Sequence, residues 1–337
     1  MNERTLAILR TLYEEHGFVA GPRMSTGLGI SRSAIWRHIQ HLRGQGYRIE
    51  SAPNRGYRLV ASPDAPTAAD IEAARAGCRL GARVVSRATI DSTNRLGIEL
   101  AEAGEPDGTL VIAEHQAGGR GRMTRSWHSV RGQSITMSVI LRPRIAPVRV
   151  PQLSLVTAIA CAKAIETECA LAVQVKWPND LYINTRKVAG ILCDLRAEMD
   201  CLHFLVLGIG INVNIPRNAF PPECRETATS LTVETGEVVN RARLVVRILE
   251  ELEEACDVWL ASGLPAFIGA WRQRSLYRGR RVTADTGGRE PLQGVIRDLR
   301  HDGALLLETD GGEIRPLYSG DVSLQGMAGG KNTNAEC

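Results

Sequence analysis

The order of hydrophobic and polar positions in the first sixty residues predicts three short helices followed by a hairpin. Apolar residues recur at helical spacing over residues 5–15, and a second helix over Gly21–Leu28 would carry its proline in the first turn, where the missing N–H costs nothing. Residues 32–43 form a third amphipathic run. Short strands are predicted over 47–51 and 56–59, on either side of a turn. This order is typical of a winged helix-turn-helix domain.

The middle of the chain alternates between strand-like and helical runs. The predicted strands cover residues 83–88, 109–114, 134–141, 173–176, 187–192 and 203–211. The predicted helices cover residues 93–103, 150–169 and 241–262. Strands interleaved with helices favour a mixed β-sheet with helices packed on it. Residues 61–69 are rich in alanine, proline and small polar residues, and we interpret them as a linker to this body.

Short strands separated by glycine-containing turns are predicted for the C-terminal region. They cover residues 280–284, 290–298, 304–308 and 313–318, which predicts a small SH3-like β-barrel. Residues 327–337 are rich in glycine and asparagine and are expected to be disordered. The predicted fold class is therefore α+β. Its parts are a winged helix-turn-helix domain (1–62), a central mixed sheet with helices (63–274), the barrel (275–326) and the tail (327–337).

Positive charge is concentrated in the first sixty residues. They contain nine arginines, no lysine and four acidic residues, whereas the remainder contains 32 basic and 33 acidic residues. A basic helix-turn-helix pattern indicates binding to duplex DNA, with the start of the third helix at base edges and the hairpin at phosphates. The residues assigned to DNA are Ser31, Arg32, Ser33, Trp36, Arg37, Arg55 and Arg58. A three-helix domain for protein contacts, with a solvated arginine face, is the alternative.

The overall composition is that of a globular protein. No apolar run of membrane-spanning length and no signal peptide are apparent, which predicts a cytoplasmic location without a membrane partner. The eight cysteines form no C-x-x-C pair, so free buried thiols are expected rather than a metal site or disulfides. Only four of the 41 basic residues are lysine, and two of them, Lys176 and Lys187, lie close together. A lysine retained in such a chain is a candidate for a site that needs a compact ammonium group.

A loop rich in glycine and arginine is the strongest candidate for ligand binding. Its glycines permit close approach of the backbone to an anion and positive φ angles, and its arginines are forked donors suited to phosphate or carboxylate. A tryptophan at its end offers an aromatic plane to a base. The loop contains Gly118, Gly119, Arg120, Gly121, Arg122, Arg125 and Trp127. A flexible basic surface loop is the alternative, and no Walker A or G-x-S-x-G motif is present.

Three further short pieces carry polar residues at strand ends. Residues 91–94 read DSTN at a predicted helix start, where a simple N-cap is the alternative function. Pro178 to Asp180 forms a predicted turn that places Asn179 and Asp180 side by side at its tip. Asp180 is a candidate magnesium ligand there, although aspartate in such turns more often serves the turn itself. Residues 208–212 read GIGIN at the end of a strand.

In combination these motifs resemble the biotin–protein ligases. The pieces GRGR (119–122) with Trp127, KWPND (176–180), KVAG (187–190) and GIGIN (208–212) have the order and spacing of that family. Residues 31–59 resemble the DNA-binding module of its bifunctional ligase–repressors, and the resemblance extends to about residue 325. It implies a central domain of the class II synthetase-like ligase fold.

The resemblance implies a reaction in two steps. Biotin and MgATP would give biotinyl-5′-adenylate and pyrophosphate, and the adenylate would then acylate a lysine of the biotin carboxyl carrier protein of acetyl-CoA carboxylase. It further implies that the adenylate is the corepressor, that the adenylate-bound chain is a homodimer, and that this dimer represses biotin synthesis genes by binding operator DNA. A ligase with a vestigial DNA-binding module and a metabolite-sensing regulator without ligase activity are alternatives. The KWPND and GRGR pieces argue against a lipoate ligase.

The resemblance also assigns residues to roles. The catalytic residues would be Arg120, Arg122 and Lys187. The biotin-binding residues would be Ser92, Thr93, Asn94, Gln116, Gly119, Arg120, Gly121, Arg122, Lys187, Gly190 and Gly208. The nucleotide-binding residues would be Arg120, Arg122, Trp127, Asn179, Asp180, Lys187 and Asn212, with Asp180 as the magnesium ligand. The chain departs from the family's motifs at Met123-Thr124, where Arg-Gly is usual, and at Gln325, where Arg is frequent.

Overall fold

The structure, a computed structural model, describes residues 1–15, 17–123, 125–198, 201–287, 290–324 and 335–336. The departures noted at Thr124 and Gln325 lie outside the described residues, as does the predicted disordered tail except for Ala335–Glu336. Those two residues form a short strand, β16, which pairs in parallel with β5, Ser126–Trp127.

The N-terminal domain has the predicted order of elements. It consists of α1 (Glu3–Glu14), α2 (Gly21–Leu28), α3 (Arg32–Gly44), β1 (Arg48–Ala52) and β2 (Gly56–Ala61). The two strands form an antiparallel hairpin. Ser31 caps α3 by accepting a hydrogen bond from the amide of Ala34 at 3.2 Å, which explains why the helix begins at Arg32. The apolar faces of the three helices meet in one core, which contains Ile8, Leu9, Leu12, Ile35, Ile39 and Leu42.

The central body is a seven-stranded mixed sheet with helices on both faces. Its elements are α4 (Ala68–Ala74), β3 (Val84–Arg87), α5 (Thr93–Glu102), β4 (Leu110–Ala113), β5, β6 (Ser134–Leu141), α6 (Val150–Cys169), β7 (Gln174–Lys176), β8 (Asp180–Ile183), β9 (Arg186–Glu198), β10 (Cys201–Asn212), α7 (Leu231–Thr235), α8 (Arg241–Ser262) and α9 (Pro265–Arg274). The strand order is β3-β4-β6-β10-β9-β8-β7, and only β3 and β4 are parallel.

The pleat of the central strands separates two apolar layers. Val139 belongs to the large core beneath α6 and α8, whereas its neighbour Ile140 packs with Val206 against α5 on the opposite face. Such alternation is expected because successive side chains of a strand point to opposite faces of its sheet. The site described below lies at the N-terminal end of α5, on the face that this helix covers.

The C-terminal region is a five-stranded antiparallel sheet. Its strands are β11 (Arg281–Asp285), β12 (Leu292–Leu299), β13 (Leu305–Thr309), β14 (Ile314–Leu317) and β15 (Asp321–Leu324), in the order β14-β13-β12-β11-β15. The fifth strand was not predicted, and closure of the sheet into an SH3-like barrel stays a prediction. The domain boundaries at 62, 274 and 326 likewise stay predictions.

The predicted linker is partly helical, which corrects the interpretation of residues 61–69. Helix α4 begins at Ala68 and is capped by Thr67. Asp70, only 1% exposed, accepts hydrogen bonds from Tyr13 at 3.1 Å and from Thr67 at 2.5 Å. Burial raises the pKa of this carboxyl, although its hydrogen-bond donors oppose the rise. A seven-residue helix depends on such tertiary contacts, because short helices are marginal on their own.

Two other expectations need correction. Helix α6 with the turn before it (Pro147–Cys169) is long and apolar enough to cross a membrane, but 72% of its apolar window is buried inside the protein. It is a central helix that is apolar on most sides because the protein covers most of it. Among the described residues six cysteines are free thiols, but only Cys161 and Cys256 of these are buried, and Cys201 is exposed. Cys224 is disulfide-bonded, so the expectation of free buried thiols is wrong for it as well.

A buried arginine joins the N-terminal segment to the body. Arg241, at the first position of α8, is 3% exposed. Its guanidinium lies 2.7 Å from the carboxylate of Asp64, in the segment before α4, and 2.9 Å from that of Glu114, at the end of β4. It also donates to the carbonyl of Ser134 at 3.3 Å. One cation therefore neutralises two acids from different parts of the chain.

We expect Arg241→Gln to lower the free energy of unfolding by about 1–3 kcal/mol, because it leaves two neighbouring carboxylates without their cation. The matched control is Arg196→Gln, which removes an arginine that is 59% exposed and paired with an exposed glutamate. The control should change stability by less than about 0.5 kcal/mol. Urea denaturation followed by circular dichroism measures both. Equal losses for the two variants would contradict the role of Arg241.

Candidate functional site

One pocket brings together residues from most of the motifs singled out in the sequence. It offers about 420 Å³ of space, part of it open to solvent. The predicted site residues that line it are Ser92, Thr93, Asn94, Gln116, Arg120, Gly121, Trp127, Asn179, Gly190 and Gly208. Residues up to 116 positions apart in the chain therefore share one cavity, which favours a ligand site over separate structural roles.

The start of α5 supplies a buried polar floor. Ser92 occupies the N-cap position, but its hydroxyl does not bond to a helix amide. The amide and hydroxyl of Thr93 both donate to the side-chain oxygen of Gln116, at 2.7 and 3.0 Å. Ser138 donates to Thr93 and to the Asn94 side-chain oxygen at 2.7 and 2.6 Å. These contacts fix the orientation of the Thr93, Asn94 and Gln116 side chains, as a site that recognises a polar ligand requires.

Asn94 is held from its other side as well. Its amide nitrogen donates to Asp194 at 2.8 Å. Neither Ser138 nor Asp194 was predicted, because a serine and an aspartate within strands carry no signal of their own. The chain places them opposite Asn94 only when β6, β9 and β10 pair.

Glycines in the central strands make room for the side chains of the site. A Cβ on Gly208 would lie 2.2 Å from the Asn94 side-chain oxygen, and one on Gly210 would lie 2.5 Å from the Trp127 indole. Gly190, opposite Gly210 in the sheet, would place its Cβ 3.4 Å from the same ring. The GIG sequence is therefore a steric requirement of the pocket.

The glycine–arginine loop folds back on itself. The Trp127 amide donates to the Gly119 carbonyl at 2.9 Å, and the Gly121 amide donates to the Arg125 carbonyl at 2.7 Å. A Cβ on Gly119 would lie 2.6 Å from the Trp127 carbonyl oxygen, so this glycine serves close approach. Gly118 and Gly119 do not use positive φ, which corrects that part of the expectation. Met123 does, at φ 53°, and is 56% exposed.

The three arginines of the loop have different surroundings. Arg122 donates to the Asn179 side-chain oxygen at 3.1 Å, and Arg125 pairs with Asp321 at 2.8 Å. Arg120 is exposed and lines the pocket. Arg122 and Arg125 thus anchor the loop to the body and to the C-terminal sheet, whereas Arg120 lines the cavity.

Lys187 and Asp180 form an ion pair at the pocket's edge. Their Nζ and Oδ1 atoms are 3.0 Å apart, and the side chains are 9% and 12% exposed. The ammonium group lies 5.9 Å from the centre of the Trp127 ring. Asp180 is not at the tip of the predicted turn but begins β8, opposite Gly190. Asn179 remains in the turn, where its side-chain amide nitrogen donates to the Ile191 carbonyl at 2.8 Å.

Two buried polar groups near the pocket lack partners within the described part of the chain. Asn212 is fully buried, yet neither its amide oxygen nor its nitrogen is hydrogen-bonded. The indole N–H of Trp127 is likewise unbonded. Buried donors and acceptors are nearly always satisfied in proteins, so such a cluster indicates where a polar ligand would bind.

The C-terminal sheet contributes a carboxylate to the same region. Asp321, at the start of β15, lies 2.8 Å from Lys176 and 2.8 Å from Arg125. Burial would raise the pKa of this carboxyl, but the two cations outweigh that effect and hold its pKa well below the ordinary range. Asp321 therefore links the end of β7 and the glycine–arginine loop to the C-terminal domain.

No group of three or more metal-ligating side chains exists among the described residues. Asp180 offers a single carboxylate that already faces an ammonium group. Such a donor does not make a resident metal site, but it suits a magnesium ion that arrives on nucleotide phosphates and retains most of its water.

The DNA-facing residues predicted from the sequence lie on the surface of α3 and the hairpin. Trp36 is 54% exposed, and Ser31, Arg32, Ser33 and Arg37 are exposed as well. Arg55 is exposed at the hairpin turn, whereas Arg58 is partly buried.

Comparison with known proteins agrees with this architecture. Three family models match the chain: the biotin/lipoate A/B protein ligase family over residues 86–212, an HTH domain over 4–58, and the biotin protein ligase C terminal domain over 278–325. The bifunctional ligase/repressor BirA of Bacillus subtilis is 38% identical over 91% of this chain and 94% of its own length. The BirA of Escherichia coli is 34% identical over 96% and 99%.

The chain belongs to the bifunctional ligase/repressor family. A solved biotin protein ligase from Aquifex aeolicus, in complex with biotin and ATP, matches 72% of this chain and 97% of its own with 29% identity and a TM-score of 0.62. The resemblance stated from the sequence is thereby confirmed, as is the order of an HTH domain, a central mixed sheet and a C-terminal antiparallel sheet.

Several pocket-lining residues of this family member were not predicted. They are mainly apolar residues of the strands that the cavity exposes: Met137, Ile191, Leu192, Ile209 and Gly210. Apolar strand residues look like ordinary core positions in a sequence, so only the cavity distinguishes them. Asp321 was not predicted as a site residue either, and its partner, the retained Lys176, was the available signal.

We expect Asp321→Asn to lower the melting temperature at pH 7, because the ionised carboxylate stabilises the folded state. Since its folded pKa is depressed, that stabilisation is complete above about pH 4 and is lost as the pH falls through the folded pKa. The difference from the wild type should therefore narrow below about pH 4. Calorimetry between pH 3 and 7 measures it. The control is Asp310→Asn, in an exposed pair with Arg281. A difference independent of pH would contradict the assignment.

Proposed function

We propose that this chain is an ATP-dependent biotin–[acetyl-CoA-carboxylase] ligase that also represses transcription in response to biotin. The observation that carries the enzymatic part is one pocket lined by Arg120 and Trp127, with the Lys187 ammonium group 5.9 Å from the Trp127 ring and the indole N–H of that ring unbonded. The names of the relatives and the ligand complex of the Aquifex ligase support the choice of biotin and ATP.

In the first step a biotin carboxylate oxygen attacks the α-phosphorus of ATP. A new O–P bond forms while the bond from phosphorus to the bridging oxygen breaks, and pyrophosphate leaves with that oxygen. Arg120, Arg122 and Lys187 balance the negative charge of the carboxylate and phosphate as they approach. Fixed cations near the reacting atoms favour the transition state because they need no reorganisation.

The other assigned residues bind the two substrates. Ser92, Thr93, Asn94 and Gln116 hold the polar ring of biotin. Gly119 and Gly208 leave room for Trp127 and Asn94 beside the ligand, and Gly121 and Gly190 line its pocket. Trp127, Asn179 and Asn212 contact the nucleotide. Asp180 would hold the magnesium ion that arrives with ATP, and that ion would neutralise phosphate charge.

In the second step the amine of a lysine on the biotin carboxyl carrier protein attacks the carbonyl carbon of the adenylate. An amide bond forms and the amine loses a proton. The bond between the carbonyl carbon and the phosphate oxygen breaks, and AMP leaves with that oxygen. Asp321 pairs with Lys176 and with Arg125 of the glycine–arginine loop, so the C-terminal sheet lies next to the proposed reaction site. A cytoplasmic location is part of the proposal, since the reaction requires ATP and this carrier.

We expect Lys187→Ala to reduce biotin-dependent ATP–pyrophosphate exchange by about 10²–10³-fold, because it removes a preorganised cation. The control is Lys163→Ala, which removes another of the four lysines, 47% exposed on α6, and should stay within about twofold. Absence of exchange in the wild type would refute the ligase. Equal rates for wild type and Lys187→Ala would refute only the role of Lys187.

The repressor function is supported by the helix-turn-helix domain and by the names of the full-length relatives. Ser31, Arg32, Ser33, Trp36 and Arg37 would read bases in the major groove. Biotinyl-5′-adenylate would act as corepressor by favouring a homodimer, since two half-sites on DNA require two recognition helices. A vestigial DNA-binding domain and a regulator without ligase activity are the competing functions.

We expect biotin plus ATP to tighten binding to DNA from upstream of the biotin synthesis genes by about tenfold or more, a typical magnitude for coupling between sites. Arg37→Ala should weaken the specific complex by about 5- to 150-fold, the loss typical of one base contact. Gel shifts measure the affinity, and analytical ultracentrifugation measures dimer formation under the same conditions. Unchanged DNA affinity with both ligands would refute regulation through this domain while leaving the ligase intact.

A further inference from the structure

An aromatic ring lies against both arginines of the wing, the hairpin formed by β1 and β2. Phe18 belongs to the segment between α1 and α2. The guanidinium carbon of Arg55 is 4.2 Å from the centre of its ring, and that of Arg58 is 4.9 Å away. Contacts of this kind are attractive because the ring face carries negative potential. Phe18 is not among the residues assigned to DNA binding from the sequence.

The position of Phe18 is fixed by backbone pairing. The adjacent Val19 donates to the Tyr57 carbonyl at 2.7 Å and accepts from the Tyr57 amide at 3.0 Å. Gly56, at φ 99°, allows this approach, because a Cβ there would lie 1.9 Å from the Val19 carbonyl oxygen. The segment that carries Phe18 is therefore attached to the wing and cannot move independently of it.

An acidic residue holds one of the two arginines. Glu50, on β1, pairs with Arg58 at 2.6 Å, and both side chains are about half exposed, at 49% and 43%. The Arg58 Nε atom is shielded and makes no hydrogen bond. Arg55 makes no ion pair within the described part of the chain. The two stacked guanidinium groups thus differ: one is paired with a carboxylate, and the other is free for an anion.

The wing and α3, the predicted recognition helix, line the same cavity of the protein. A cavity with about 1150 Å³ of space, part of it open to solvent, is lined by the start of α2, by Arg32 and Ile35 of α3, and by hairpin residues on both sides of Arg55, which itself is not among them. When the start of α3 enters the major groove of a DNA duplex, the adjoining DNA backbone therefore passes beside the wing. Its phosphates would come within reach of the stacked arginines.

We propose that Phe18 is a positioning residue for DNA binding, which presents Arg55 and Arg58 to backbone phosphates, and that Glu50 restrains this clamp by competing for Arg58. The proposal rests on the proposed DNA-binding function. A stacked guanidinium keeps its charge and its outer N–H groups while losing conformational freedom, so less entropy is lost on binding. Arg58 must give up its ion pair with Glu50 before it binds a phosphate, so this exchange adds little binding free energy.

The test uses the full-length protein and a 40-base-pair duplex of mixed sequence, because phosphate contacts do not depend on sequence. Fluorescence anisotropy at several salt concentrations gives the affinity and its salt dependence. Phe18→Leu should weaken binding by about three- to tenfold with little change in the salt slope, because both charges remain. Phe18→Tyr, which keeps the ring, should restore binding.

The arginines and Glu50 have distinct signatures. Arg55→Gln should lower the salt slope by about 0.9, the value for one lost phosphate contact. Glu50→Gln should tighten binding and raise the slope by about the same amount, because it frees Arg58. Glu3→Gln is the charge-matched control in the same domain, and it should produce a clearly smaller gain in affinity.

The outcomes separate the clamp from the proposed function. A wild-type protein without measurable affinity for the duplex at low salt would refute DNA binding itself. Wild-type binding that Phe18→Leu leaves unchanged, or that Phe18→Tyr fails to restore, would overturn the role of the ring. Equal gains for Glu50→Gln and Glu3→Gln would overturn the restraint by Glu50. Unchanged ATP–pyrophosphate exchange in all variants shows that the ligase site is intact.

Discussion

Close approach between the central strands and the segments above them is the constraint on which the pocket depends. The indole of Trp127 and the amide of Asn94 lie directly over β10, at distances that a single extra carbon would violate. Glycine at 208 and 210 removes that carbon, and the pairing of β10 with β9 brings Gly190 under the same indole. The glycines contribute no side chains to packing at these positions. Apolar neighbours such as Ile191 and Ile209 stabilise the sheet there.

Ion pairs connect the N-terminal segment and the C-terminal sheet to the central body around this pocket. Asp321 reaches from the C-terminal sheet to Lys176 and Arg125, and Arg241 lies between acids from the N-terminal segment and from β4. Both clusters are partly buried, where ionic interactions are less screened than at the surface. A ligand that brings phosphate and carboxylate groups enters a region whose own ions are largely paired, with Arg120 facing the cavity.

The long elements could be predicted because their patterns are strong. Helices α6 and α8 and strand β6 have the predicted bounds, since each carries enough apolar residues for its periodicity to be clear. Helices α4 and α7 have only seven and five residues, and β8 has four. Such elements form because neighbouring parts of the chain satisfy them, as Tyr13 does for Asp70, and a local pattern does not contain that information.

The candidate site shows the same division. The sequence by itself determined which chemical groups were available: a glycine–arginine loop, a tryptophan, two retained lysines and amides at strand ends, in the order of a known family. The tertiary structure decided which of them meet. The Asn94–Asp194 and Lys176–Asp321 contacts join residues 100 and 145 positions apart, and the ring of Phe18 meets arginines of a hairpin that comes after two further helices. Contacts between distant residues depend on strand pairing and helix packing, so only the folded chain defines them.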